Sequence, residues 1–140
     1  MDNVLIVVDD LEAVKTFFLN LGFEQEGEAN VEGPNVDILI GLKDVRATLV
    51  FLKTPDGQRV ELDKFHNPDA VGNTKAQIPV NQFGIRRIML AVEGLEELVE
   101  HLLNNGVELV GEMVNYGDTY KLVYVRGPEG IIVGLAEQLG

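Results

Sequence analysis

The sequence contains no cysteine and no tryptophan. The first absence excludes a disulfide framework, a thiolate metal centre and a cysteine nucleophile. Histidine is scarce as well, with His66 and His101 the only two in 140 residues, so little imidazole is present for metal or acid–base chemistry. Positive charge is in short supply: 11 Lys and Arg stand against 23 Asp and Glu, a formal charge of −12. A field of that sign repels phosphate backbones and anionic membranes, which argues against nucleic-acid and membrane partners. No apolar run approaches the roughly 20 residues that span a bilayer. The opening MDNVLIVVDD lacks a basic segment and turns acidic at once. The expectation from these features is a cytoplasmic protein. P-loop, GxGxxG and GxSxG patterns are missing, so nucleotide binding and serine hydrolysis have no support.

What the chain does contain is a repeat. Residues 2–28 and 86–112 align at an offset of 84 with 9 identities in 27 pairs, among them Leu11-Glu12 with Leu95-Glu96, Leu19-Asn20 with Leu103-Asn104, and Gly22 with Gly106. A second echo, Pro55-Asp56-Gly57 with Pro128-Glu129-Gly130, runs at an offset of 73. The chain therefore reads as a single domain of two tandem modules, 1–65 and 84–140, joined by a Pro-, Asn- and Gly-rich linker over 66–83. Each module opens on a short β-branched strand (3–8 in the first). A helix follows, with Leu11, Val14, Phe18 and Leu21 as the core stripe of the first and Leu95, Leu98 or Val99, and Leu102 in the second. Asp9 is expected to cap the first helix, with Glu12 at capping-box spacing. Strands are expected over about 23–30, 36–41, 46–53 and 58–65, then 107–114, 119–126 and 131–137, with PDG and PEG as turns. The fold class is α+β, two βαβββ modules whose last three strands are mostly antiparallel.

This plan, carried by NVLIVVDDLEAVKTFFLNLGF, GIRRIMLAVEGLEELVEHLLNNGVELVGE and RGPEGIIVGLAE, resembles the vicinal oxygen chelate superfamily of glyoxalases, bleomycin resistance proteins and extradiol dioxygenases. The resemblance covers nearly the whole chain. It implies a cupped half-barrel of mixed sheet around a cavity between the modules. It also implies metal ligands on the first and last strand of each module. Those four positions fall on Asn3, Glu61, Arg87 and Gly134. Glu61 alone is a good ligand: Asn3 offers a weak neutral oxygen, Arg87 is a permanent cation, and Gly134 has no side chain. Zinc, nickel or iron sites need three or four anionic or imidazole donors. The expectation is a family member without the usual catalytic metal and without another cofactor, a divalent metal being left open.

If the modules meet as the resemblance implies, Glu61 and Arg87 converge. Arg87 then replaces the metal by gripping a carboxylate, phosphate or enolate oxygen, with Glu61 as base or orienting partner. The alternative is an ion pair between them that holds the modules together. His66 is a candidate base at the cavity mouth or an exposed loop residue. His101 lies on a helix face expected to be solvated. The strand TYKLVYVR alternates Tyr120, Leu122, Tyr124 and Arg126 on one face with Lys121, Val123 and Val125 on the other. Its first-module counterparts are Leu49, Phe51 and Lys53. Asn3, Phe51, His66, Tyr120 and Tyr124 are thus the candidate ligand-binding residues, with Leu49 and Leu122 assigned to the core. Two functions remain open. One is binding of a small organic molecule of the bleomycin-resistance kind, to which the −12 charge would attract a cation. The other is a glyoxalase-type lyase or isomerase acting next to a carbonyl, through Arg87 and Glu61 or an unrecognised metal. A homodimer is expected, since strand edges must be covered.

Overall fold

The computed structural model describes residues 1–74 and 77–140, which form two units, Met1–Thr74 and Lys75–Gly140. In the first, β1 (Val4–Val7), α1 (Leu11–Asn20), β2 (Glu24–Glu32), α2 (Pro34–Ile40), β3 (Arg46–Lys53) and β4 (Arg59–Asn67) follow in order. The second runs β5 (Ile88–Ala91), α3 (Leu95–Asn104), β6 (Glu108–Leu109), β7 (Val114–Tyr116), β8 (Tyr120–Arg126), a single 3-10 turn over Pro128–Gly130, and β9 (Ile132–Gln138). The boundary falls inside the expected linker, but β4 runs two residues into it, to Asn67.

Each unit builds one mixed sheet. The first has the order β1-β4-β3-β2 with β1 parallel to β4 and the other pairs antiparallel. The second has β5-β9-β8-β6, with β5 parallel to β9 and β7 paired to β8. The parallel pairing follows from the connection: a strand followed by a helix returns to the same sheet in the same direction. The 84-residue repeat is realised in the long helices, since α1 and α3 begin and end at equivalent positions, while α2 has no counterpart in the second unit.

The core lies on one face of each sheet. Val14, Phe17 and Phe18 of α1 are buried, as are Val50, Leu52, Val60 and Leu62 on the alternate positions of β3 and β4. Phe18 sits edge-on to both Phe17 and Phe23, with ring centroids 5.2 Å apart in each pair. In the second unit Leu95, Val99 and Leu102 of α3 are buried together with Val123, Val125, Val133 and Leu135. Leu49 and Leu122, assigned to the core from sequence, are only half-buried, because they occupy the opposite face of their strands.

Three local expectations are corrected. Residues 36–41 form no strand: Pro34 at the first helical position and left-handed Gly41 (φ 80°) bound the helix α2, and Asp37 accepts the backbone N–H groups of Asp44 and Val45. The α1 cap is Asp10, which accepts from the Ala13 N–H at 3.1 Å, while Asp9 pairs with Lys64 Nζ at 2.8 Å. The run 107–114 is broken into β6 and β7 around Gly111. The helix α3 has no side-chain cap of its own. Glu137 on β9 supplies one, accepting from Gly94 N at 2.7 Å and Leu95 N at 3.2 Å, and these N–H groups hold its carboxyl below the usual carboxylate range.

The packing predicts that Phe18→Ala and Leu135→Ala each cost about 3–5 kcal/mol, while Leu5→Ala, at a half-exposed position off the helix face, costs less than about 1 kcal/mol. Urea denaturation of the three variants checks this; similar losses in all three would put the core on the wrong face.

Candidate functional site

With one face of each sheet spent on a helix, the alternate positions face the other way. Four residues lie abreast across the first sheet: Leu5 on β1, Glu61 on β4, Phe51 on β3 and Gly27 on β2. The next row holds Val7, Asp63, Leu49 and Ala29. Near the first row, and belonging entirely to this unit, is a pocket of about 420 Å³ lined by Asp2, Asn3, Glu26, Phe51, Arg59 and Glu61 among others. The volume is within the roughly 300–1,000 Å³ range of small-molecule sites. The structure thus brings together three sequence-predicted residues, Asn3, Phe51 and Glu61.

Three charged lining residues, Asp2, Glu26 and Arg59, were not anticipated. A register shift between Gln25 and Gly27 makes Glu26 the extra residue of a β-bulge on β2. The bulge re-aims its side chain toward β4, where Arg59 donates Nε at 3.1 Å and Nη2 at 3.3 Å to its two carboxylate oxygens. Arg59 lowers the Glu26 carboxyl, and Glu26 in turn raises the guanidinium. Arg59 was visible in the alternation RVELD, which sets Arg59, Glu61 and Asp63 on one face. Glu26 carried no such signal, since a bulge breaks the two-residue period. With Asp2, Glu26 and Glu61 against Arg59, the pocket is net acidic.

Beside it, Asp63 is 5% exposed and its Oδ1 is buried without a hydrogen-bond partner among the described residues. Burial pushes its carboxyl up to about 8, and hydrogen bonding with the neighbouring Glu61 adds to the rise. Asp63 therefore stays protonated where a free aspartate would ionise.

The corresponding row of the second unit is Met89, Gly134 and Tyr124 across β5, β9 and β8. A Cβ on Gly134 would meet Met89 Sδ at 2.8 Å, Met89 Cε at 2.9 Å and Tyr124 Cε1 at 3.1 Å. These two side chains fill the place a last-strand ligand would need. Arg87, one alternation before Met89, donates Nε to Tyr124 Oη at 2.7 Å and lies 5.5 Å from the ring centroid. Tyr120 sits apart, at the hairpin end of β8, with its ring 5.5 Å from that of Tyr116.

His66 does not reach the pocket face. Its Nε2 lies 2.8 Å from Thr48 Oγ1, which also bonds Asn30, and Thr48 shares the helix-side face with Val50 and Leu52. His66 continues the alternation of Val60, Leu62 and Lys64 on that face, next to the register shift at the end of β4. His101 lies exposed on α3. Among the described residues no group of three or more His, Cys, Asp or Glu is placed to hold a metal ion. No described helix is long and apolar enough to cross a membrane.

Residues 1–135 match the family model described as Glyoxalase/Bleomycin resistance protein/Dioxygenase superfamily. The chain belongs to this superfamily. Among solved structures, a glyoxalase family protein from Bacillus cereus is 44% identical, with a TM-score of 0.94 over 100% of this chain and 94% of its own. The trypanothione-dependent glyoxalase I of Leishmania major is 21% identical, with a TM-score of 0.69 over 98% of this chain and 85% of its own. A fosfomycin resistance protein from Listeria monocytogenes is 15% identical, with a TM-score of 0.59 over 99% of this chain and 91% of its own. The last two are similar in fold alone, and a search of curated proteins returns no match. The superfamily fold hosts several chemistries, so function has to be argued from the residues.

The raised carboxyl of Asp63 gives a signed prediction. The unfolded chain ionises this group near the ordinary aspartate value of 3.8, the folded chain near 8, so its contribution to stability is full below about pH 4 and lost as pH rises toward 8. Asp63→Asn, a neutral near-isostere, removes that slope. Thermal melts of both proteins from pH 4 to 9 should show the variant gaining about 1 kcal/mol or more relative to the parent at the alkaline end. Parallel curves would show that Asp63 ionises normally.

Proposed function

We propose that this superfamily member binds a small organic cation bearing a flat apolar group, in the first-unit pocket and without a catalytic metal. The observation that carries the reading is the pocket itself: Phe51 offers an aromatic surface, Asn3 an amide, and Asp2, Glu26 and Glu61 outnumber Arg59. The net charge of −12 draws cations toward it. The donor chemistry of the four family positions supports metal independence, because Arg87 and Gly134 bring no donor and Met89 and Tyr124 pack where one would project. Such sequestration is the bleomycin-resistance kind of activity.

A glyoxalase-type lyase or isomerase is the second reading. Its support is the neighbouring carboxyl groups of Glu61 and Asp63 on one face of β4, the second raised to about 8, which suits proton transfer beside a carbonyl. We also propose a homodimer, because β1 and β2 end the first sheet, β5 and β6 the second, and α2 exposes Ile38 and Leu39.

Calorimetric titration with 1-naphthylmethylamine and its neutral analogue 1-naphthylmethanol tests the binding reading. The amine should bind more tightly, and Glu61→Gln and Phe51→Ala should each weaken it about five- to tenfold. Equal affinity for the alcohol, or near-stoichiometric nickel, zinc, manganese or iron in protein purified without chelator, would overturn it. Light scattering should give twice the 15.4 kDa chain mass; the mass of one chain would end the dimer proposal.

A further inference from the structure

We infer that Arg87 and Tyr124 form a second ligand site, in the second unit, that binds the carboxylate of an aromatic acid. The argument starts from charge. Carboxylates outnumber cationic side chains in this chain, 23 to 11, and among the described residues four of the cations hold an acidic partner. Lys15, Arg59, Lys64 and Lys121 each hold one within 3.1 Å. Arg87 holds none among the described residues of its unit, and its one hydrogen bond there goes to a phenol.

That bond prepares the pair for an anion. Arg87 Nε donates to Tyr124 Oη, so the phenol oxygen is the acceptor and its own hydrogen is left to donate elsewhere. Both Nη groups also lack partners in the unit. A guanidinium fork and a phenol hydrogen polarised by the adjacent cation therefore lie side by side, a donor set that matches the two oxygens of a carboxylate. Gly134 makes the arrangement possible, since a side chain there would collide with Tyr124 Cε1 and Met89 Sδ. The surroundings set the rest of the ligand. Met89 and Leu122 flank Tyr124 on the same sheet face and offer apolar contact to a ring beside the carboxylate. The site lies wholly within one unit and does not depend on the amine-binding pocket.

The probe is sodium benzoate, titrated into the full chain and followed by two-dimensional amide NMR, with benzamide as the neutral isostere. Benzoate should give saturable shifts at Met89, Tyr124 and Gly134, with a Kd of about 1–10 mM, as befits an exposed charge pair, and benzamide should give none. Arg87→Gln should weaken benzoate at least about tenfold, and Tyr124→Phe about threefold through loss of one donor. The thermal midpoint of each variant reports that the fold is kept. Absence of saturable shifts up to ~50 mM benzoate, equal binding of benzamide, or a less than threefold effect of Arg87→Gln in a folded variant would overturn the assignment.

Discussion

Each module has one long helix and one sheet, so only one sheet face can be buried against it. That constraint organises everything else. The alternate residues Val50, Leu52, Val60 and Leu62, with Val123, Val125, Val133 and Leu135 in the repeat, go to α1 and α3 and are buried. The intervening residues are released from packing duty. On those positions stand Glu61, Asp63 and Phe51 in one unit and Arg87, Tyr124 and Gly134 in the other. A one-residue slip of register would exchange the two sets and bury the chemistry.

The two modules are alike in backbone and unlike in chemistry at the same row. Leu5, Glu61 and Phe51 correspond by the repeat to Met89, Gly134 and Tyr124, and the Cα registers confirm the correspondence. The first row keeps a carboxylate at its centre and leaves room beside it. The second has a glycine there, and the thioether and phenol on either side close over the gap. Asn3 and Arg87 diverge in the same way, one neutral and one cationic.

The repeat made much of this legible beforehand. Its offsets located α1 and α3, the strands that open and close each module, and the equivalence of Glu61 with Gly134, because a duplicated hydrophobic pattern imposes the same packing twice. What escaped were features that local pattern does not encode. Ile38-Leu39-Ile40 reads as a β-branched strand, yet Pro34, Asp37 and Gly41 punctuate it as a helix with none of its residues buried. Asp9 and Asp10 compete for one cap, and the winner depends on Lys64, 54 residues beyond Asp10, claiming the other. Glu26 enters the pocket through a bulge, an extra residue that breaks the two-residue period on which face assignments rest, whereas His66 keeps the alternation of Val60 and Leu62 and so was legible as a helix-side residue. Asp63 was readable in RVELD as a neighbour of Glu61, but its burial was not, since alternation gives the face and not the depth.

The distribution of charge ties these differences to ligand class. A divalent cation at the family's four positions would find Asn3 and Glu61 in the first unit and no donor from Arg87 or Gly134 in the second, fewer than the three or four protein ligands such ions need. A fixed guanidinium makes the opposite demand, since it is satisfied by an oxyanion and never by a metal. The acidic pocket of the first unit makes a third, for an organic cation whose apolar part can rest on Phe51. On this reading the two modules of the duplicated scaffold carry different recognition chemistries at equivalent rows. The second of them depends on Gly134, where adding a single methyl group would push Tyr124 and Met89 out of the positions they now hold.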